Sequence, residues 1–495
     1  MGRTWVVVGA GSAGAVVAAR LSEGPDTHVV LLEAGPDHDA AHTPPALAGQ
    51  NFLAALAEPG RTWDLLAERR PGQPRRPYWQ GRGVGGSSAV NALVVLRGLP
   101  EDYDTWARLG ARGWAWRDVE PTFAALATTG ARHLPALGTW SPLERAVARA
   151  ARDLGYPWCP DPDAAGAEGI GPAPLALRGG RRSASNDAYL EPARARPNLT
   201  IRGDVLVDRV LVAKGRATGV RTAGGEEVGA DGVVLCCGAV HSPALLLRSG
   251  LDRPGVGANL ADHASAGLSL ALREPARLAD DRARPLSSLV RTSSGTTAGR
   301  GDLQVLTLGA TGAGPAGRAV GAVQVALMRV FSRGRVTLRD DDPASPPDVR
   351  FDLLADGRDR ARLRAAVRRL LDLVEHPAVE AVTELVACDD RGTPAAVLHD
   401  DRALDAWLEG AVGDYVHAAG TCRMGRPDDP MAVVGPDGAV LGTEGLWVVD
   451  ASVMPDLPRA NTHLPTVMLA ERLAAWLVVP PASSSVIGQS RPWGR

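Results

Sequence analysis

Two histidines near the C-terminal end stand in segments suited to present a side chain: His417 in HAAGTCRMG (417–425) and His463 in ANTHLPTVMLAE (460–471). An imidazole with its unperturbed pKa of about 6.5 accepts a hydroxyl proton at neutral pH, and a positioned base of this kind contributes about 10² to 10⁴ in rate. Each is expected in a loop just outside a regular element, where a scaffold can aim it. Pro465 suits the first position of a helix over TVMLAERLAAWL, whose N-terminus would point back at His463 and favour negative charge there. The other eight histidines lack such company; for His241 and His263 the neighbouring SPALLL and ADH suggest packing and turn roles.

A proton acceptor becomes informative beside a cofactor, and the N-terminal residues supply the element to hold one. Glycine makes up 57 of 495 residues, so a bare GxGxxG is expected by chance roughly 0.7 times and has little weight alone. Three matches occur, at 9–14, 81–86 and 312–317. Only the first follows an apolar run (TWVVVGA), opens a helix (AGAVVAARLSE) and precedes a second strand (HVVLLEA) ending in an acid, Glu33, followed by Ala34. In that unit Gly9 permits the tight turn, Gly11 lets backbone approach a pyrophosphate past Ser12 and Ala13, and Gly14 lets helix pack on strand. The helix N-terminus offers N–H groups to the phosphates and Glu33 accepts from ribose hydroxyls. NAD and FAD both use this fingerprint, and the glycine loop does not decide between them. The 312–317 match reads as a loop.

Composition narrows the partners. With 45% hydrophobic and 22% charged residues, a net charge of -2 and a pI near 6.6, the chain has no electrostatic footprint for nucleic acid and no run of about 18 apolar residues for a membrane span. Five scattered cysteines without CxxC spacing fit packing in a reduced, cytoplasmic chain, and no metal site is expected. The segment 480–495, PPASSSVIGQSRPWGR, reads as a disordered tail.

The middle glycine match extends into GRGVGGSSAVNALVVLRG (81–98), followed by DYDTWA and GWAWRDVEPTF. Further on come NLTIRGDVLVDRV, VVLCCGAVHSPALLLRSGL, GVGANLADH, HAAGTCRMG and GLWVVDASVMPDLPRANTHLPTVMLAERLA. In this order the blocks resemble the glucose-methanol-choline (GMC) oxidoreductases, over nearly the whole chain apart from roughly 265–410. The resemblance implies FAD, oxidation of an alcohol to an aldehyde or ketone, and hydride transfer to flavin N5. It implies that Val84 and Gly85-Gly86-Ser87 line the flavin, that Asn91, Ala92, Leu93 and Val94 run beside ribityl and ring, and that Val207 touches the adenine. Asp450 and Ala451 would approach phosphate and ribityl, and the helix of His463 and Pro465 would face the reduced ring. His417 is the implied base and His463 its partner. Family members with covalent FAD carry a histidine where this chain has Val90, so the flavin is expected to be non-covalent.

The implied architecture is α/β: a discontinuous Rossmann-like FAD-binding domain from 1–155, 185–263 and 431–479, and a substrate domain from 156–184 and 264–430. The substrate domain should be an antiparallel sheet built from LSLALR, DLQVLTLGA, AVQVALMRV and GRVTLRD, with an amphipathic helix (359–376) over the flavin face. Arg360, Arg364 and Arg368 recur every four residues and read as a solvated stripe. The stretch 264–320 lacks aromatics and offers no stacking platform, which leaves the small-molecule alcohol open. The electron acceptor, O2, quinone or another carrier, is equally open. Alternatives within the resemblance are a non-redox hydroxynitrile-lyase-like flavoprotein, a photodecarboxylase, a degenerate flavin-binding module and a mycofactocin-linked alcohol dehydrogenase branch.

Overall fold

The computed structural model describes residues 2–127 and 132–478; the expected tail at 480–495 lies outside the described residues. Five parallel strands form one sheet in the order Leu446–Val448, Gly232–Leu235, Arg3–Val8, Thr27–Leu32, Leu199–Arg202. Their continuous Val/Leu runs suit a parallel sheet buried on both faces, and Trp5 to Val8 are all buried. The helix Gly14–Leu21 follows the first strand and packs against the C-terminal helix His463–Val478. A Cβ on Gly14 would lie 1.8 Å from the Gly9 carbonyl oxygen, so only glycine allows that turn to close. Segments more than 400 residues apart thus meet at one edge of the glycine loop.

A second, six-stranded antiparallel sheet runs Thr383–Ala387, Ser265–Leu272, Val320–Leu327, Leu303–Leu308, Ser288–Thr292, Gly169–Pro172. Alternation decides what each face meets. Val323, Val325, Leu303 and Val305 share a core with Leu363, Val367 and Leu370 of the helix Gly357–Val374. Leu306, Leu308 and Gln324, on the other face, line the main cavity. The amphipathic helix therefore backs the sheet from behind, a correction to its expected place over the flavin face. GRVTLRD also departs from expectation, since Arg335–Thr337 joins a separate four-stranded sheet.

The arginine stripe has partners. Arg360 pairs with Glu409, Arg364 with Asp401 and Asp405, and Arg368 with Asp401, so three turns of Gly357–Val374 are tied to the helix Asp401–Ala411. The stripe is a half-exposed seam between helices rather than a free solvated face. The 312–317 match contains a short helix, Gly314–Arg318, instead of a loop.

Candidate active site

One cavity of about 570 Å³ runs from the glycine loop to His417. At its glycine-loop end lie Gly9, Gly11, Ser12, Ala13, Glu33, Ala34 and Val207. Glu33 is buried: one carboxylate oxygen accepts from Ala10 N (2.8 Å), the other from Gly35 N (2.9 Å) and Gly83 N (3.0 Å). These bonds lock the acid at the strand end and leave the first oxygen with room for a ribose hydroxyl. Trp63 and His241 add a wall absent from the sequence reading, with ring centroids 4.3 Å apart and tilted by 33°. Burial lowers the His241 pKa to about 4, so at neutral pH this wall is uncharged.

Further along, Gly86, Ser87, Asn91, Ala92, Val94, Asp450 and Ala451 line the cavity. Gly86 sits at φ 50°, and a Cβ there would come within 2.6 Å of Gly11 Cα, so the two loops approach backbone to backbone. Val84, Gly85, Leu93, Gly14 and Pro465 stand behind this lining and shape it without reaching the cavity. Leu93 takes a left-handed φ of 68°, held by its N–H donating to Asn91 Oδ1 (3.0 Å). Asp450 is committed to structure, accepting from Gly238 N, Ser242 Oγ and Ser452 N. Arg182, buried beneath the Asn91 loop, donates to Ser88 O, Asn91 O and Asn91 Oδ1 and has no carboxylate in direct contact among the described residues. Burial drops its pKa to about 9. It lies in the GGRRSAS segment, which carried no sequence signal beyond its charge.

A group with a dinucleotide's shape and charge fits this lining. Glycine backbones close in on one side, a helix N-terminus opens onto the loop, and a buried cation waits below the central turn.

The two expected histidines both line the cavity, but they do not pair with each other. His463 is the first residue of its helix rather than a loop residue, two positions earlier than expected, and its Nδ1 lies 3.0 Å from Ser12 Oγ on the glycine loop. Its pKa falls to about 4 through burial and then the nearby Arg182 charge. His417 instead meets His263, Nδ1 to Nδ1 at 2.9 Å, and Asn461, whose Nδ2 lies 3.4 Å from His417 Nε2. Both imidazoles are buried, which pushes the His263 pKa to about 3. His417 falls well below its usual value, by burial first and His263 second.

The chain folds this way because 413–419 zips antiparallel against 261–265, with bridges at Ala261–Ala419 and Ser265–Gly413. Between those bridges Val416 adopts φ 54°, a strained value for a β-branched residue, and the rings of Tyr415, His417 and His263 meet edge-on in a triangle beside it. Asp262 fixes the strained turn by accepting from Tyr415 N (3.1 Å), His417 N (3.0 Å) and Tyr78 OH (2.9 Å); that hydroxyl in turn accepts from Ala418 N (2.9 Å). Desolvation, then Asp414, raises the Asp262 pKa. The packing role read for His263 is therefore incomplete. Its signal was its place inside GVGANLADH, and Asn461 stood two residues before His463.

The family models described as GMC oxidoreductase match residues 4–265 and 330–470. The 5-(hydroxymethyl)furfural oxidase of Methylovorus sp. (strain MP688) is 36% identical over 528 residues, 95% of this chain and 97% of that protein. The mitochondrial choline dehydrogenase of Homo sapiens is 33% identical, over 97% of this chain and 90% of that protein. Among solved structures, pyridoxine 4-oxidase from Mesorbium loti superposes with a TM-score of 0.83 at 30% identity, covering 96% of this chain and 98% of that one. The chain belongs to the GMC oxidoreductases, FAD-dependent enzymes that act on alcohols.

Proposed function

We propose that this protein oxidises an alcohol to its aldehyde or ketone, with His417 as the base and FAD held without a covalent link. FAD, when bound, supplies the two-electron acceptor that takes the α-hydrogen with its electron pair. The observation that carries the reading is the continuity of one cavity from the glycine loop to His417 Nε2, with Asn461 Nδ2 beside it. An alcohol oxygen placed to one side of this 3.4 Å contact, within reach of both atoms, gives its proton to Nε2 and accepts from the amide.

His417 stays neutral at physiological pH because it is buried, and a neutral imidazole is what a base must be. Its backbone cannot drift, because Asp262 holds the N–H of His417 and of Tyr415. We assign His463 to the cofactor side, where it joins Ser12, rather than to the alcohol oxygen. Val90 lines the cavity and has no nucleophilic atom, which supports non-covalent FAD. The proposed FAD-binding residues stay those of the glycine loop, the 84–94 loop, Val207, Asp450 and Ala451, within the segments 1–155, 185–263 and 431–479.

Anaerobic addition of a panel of primary and secondary alcohols to the purified holoprotein tests this reading. At least one should bleach the flavin absorbance and yield the matching carbonyl compound; a flavin that no alcohol reduces contradicts it. Acid precipitation should release all of the yellow colour into the supernatant.

A further inference from the structure

The hairpin formed by Leu175–Arg178 and Arg181–Arg182 turns at Gly179 and Gly180, both at positive φ. Leu175 bridges to Val94, so the hairpin lies against the 84–94 loop. Strand alternation sends Arg181 to solvent and Arg182 inward, where it is 4% exposed. Among the described residues only its Nη1 is bonded, donating to Asn91 O at 2.7 Å, Asn91 Oδ1 at 2.9 Å and Ser88 O at 3.2 Å. Nε and Nη2 are buried without a partner.

A guanidinium taken out of water is ordinarily matched by a carboxylate, because an unpaired buried charge is costly. The carboxylate near enough to be felt here, Asp187, accepts from Ala184 N and does not touch Arg182. Burial brings the arginine pKa down only to about 9, so the side chain stays charged at neutral pH.

The unmatched charge works through the cavity wall. Asn91, which Arg182 holds at two oxygens, lines the cavity. The charge is also felt at His463, another lining residue, whose pKa it lowers second to burial. Because Nε and Nη2 are sealed off, Arg182 acts by its field and by fixing Asn91 rather than by touching a guest.

A group whose charge changes in this cavity will feel that field. An alcohol that gives its hydroxyl proton to His417 delivers a hydride, two electrons with one proton, so the bound flavin gains one negative charge. We propose that Arg182 is a positioning residue that sets the reduction potential of the bound flavin, its unmatched positive charge under the Asn91 turn favouring the reduced, more negative form. The inference rests on FAD lying in this cavity, and a chemical reductant tests it apart from any alcohol. At an effective dielectric of about 20, unit charges about 8 to 12 Å apart shift an equilibrium roughly 10- to 30-fold.

The test is the midpoint potential of the holoprotein, reduced chemically against reference dyes, for the wild type, Arg182→Gln and Arg182→Met. Gln keeps a donor for the loop carbonyls without the charge, and Met keeps neither. Both variants should lower the reduction equilibrium about 10-fold, which is about 30 mV for two electrons. A Gln protein at the wild-type potential assigns the effect to bonding alone and overturns the proposal, as does a Met protein that does not shift. The FAD diphosphate carries the same charge in both oxidation states. Variants that weaken oxidised and reduced FAD equally, with the potential unmoved, therefore overturn it too. If neither variant holds FAD, the wild type decides. Its reduction equilibrium should fall about 10-fold per pH unit, about 30 mV, for one proton taken up with two electrons. A fall of about 100-fold means a second proton and no added charge, and overturns the proposal.

Discussion

His263 Nδ1 lies 2.9 Å from His417 Nδ1, so the two buried imidazoles share a single proton across that contact. One arrangement suits a base at His417. Its Nδ1–H donates to His263, whose own proton then sits on Nε2, an atom with no hydrogen-bond partner among the described residues, and His417 Nε2 is left unprotonated beside the Asn461 amide. His263 thereby sets the tautomer of its neighbour, as a positioning residue. Removing it leaves a buried Nδ1–H unpaired, so His263→Ala should slow flavin reduction about 10- to 100-fold. A purely structural role would leave the pH profile in place. Because His263 also lowers the His417 pKa, the variant's acid limb should move to higher pH.

His463 should behave differently from His417. Its contact is Ser12 on the glycine loop, and its helix end faces the same loop. We expect His463→Ala to weaken FAD binding about 3- to 10-fold, read from fluorescence on cofactor release. Its rate of flavin reduction at saturating FAD should fall less than that of His417→Ala. Equal damage by the two variants would restore the symmetrical pair that the sequence suggested.

Gly86→Ala probes the closest approach of the two cofactor loops. The added methyl would sit 2.6 Å from Gly11 Cα at a left-handed φ, so one loop must move. The purified variant should fold, with unchanged far-ultraviolet circular dichroism, yet carry substoichiometric FAD. Full occupancy by absorbance ratio would show that the loops have slack.

Acid should expose the cost of the buried imidazole pair. His263 titrates at about 3 and His417 well below its usual value in the folded protein, both because burial disfavours the charged form. The unfolded chain binds their protons near pH 6.5, before the native one does. The stability they contribute is therefore fully present above about pH 6.5 and is lost as pH falls toward the folded values, by about 1.4 kcal/mol per pH unit for each imidazole. Urea unfolding at pH 7.5, 6.5 and 5.5 should show the wild type losing its advantage over a His263→Asn/His417→Asn double variant. Parallel pH dependence in the two proteins would rule this out.

The nucleotide half of the fold was legible because its signals are local. A glycine turn, a following helix and an acid at the next strand end each have one physical reading, and Gly9, Gly11 and Glu33 stand together in the cavity wall. The histidine site was legible only in part, since the motifs marked His417 and His463 but not which contacts each would make. That depends on the register between 261–265 and 413–419, and a left-handed Val416 leaves no trace in a hydrophobicity pattern. The sheet face chosen by Gly357–Val374 was likewise invisible. Alternation along Val320–Leu327 marks two faces without saying which one meets the helix.

The central claim is that His417 Nε2 takes the alcohol proton, and the rate of flavin reduction under anaerobic stopped-flow conditions tests it most directly. With a saturating alcohol substrate, His417→Ala should reduce its flavin about 10² to 10⁴ times more slowly than the wild type, with FAD content unchanged. A His417→Ala protein that holds FAD and is reduced at a near-normal rate would contradict the assignment.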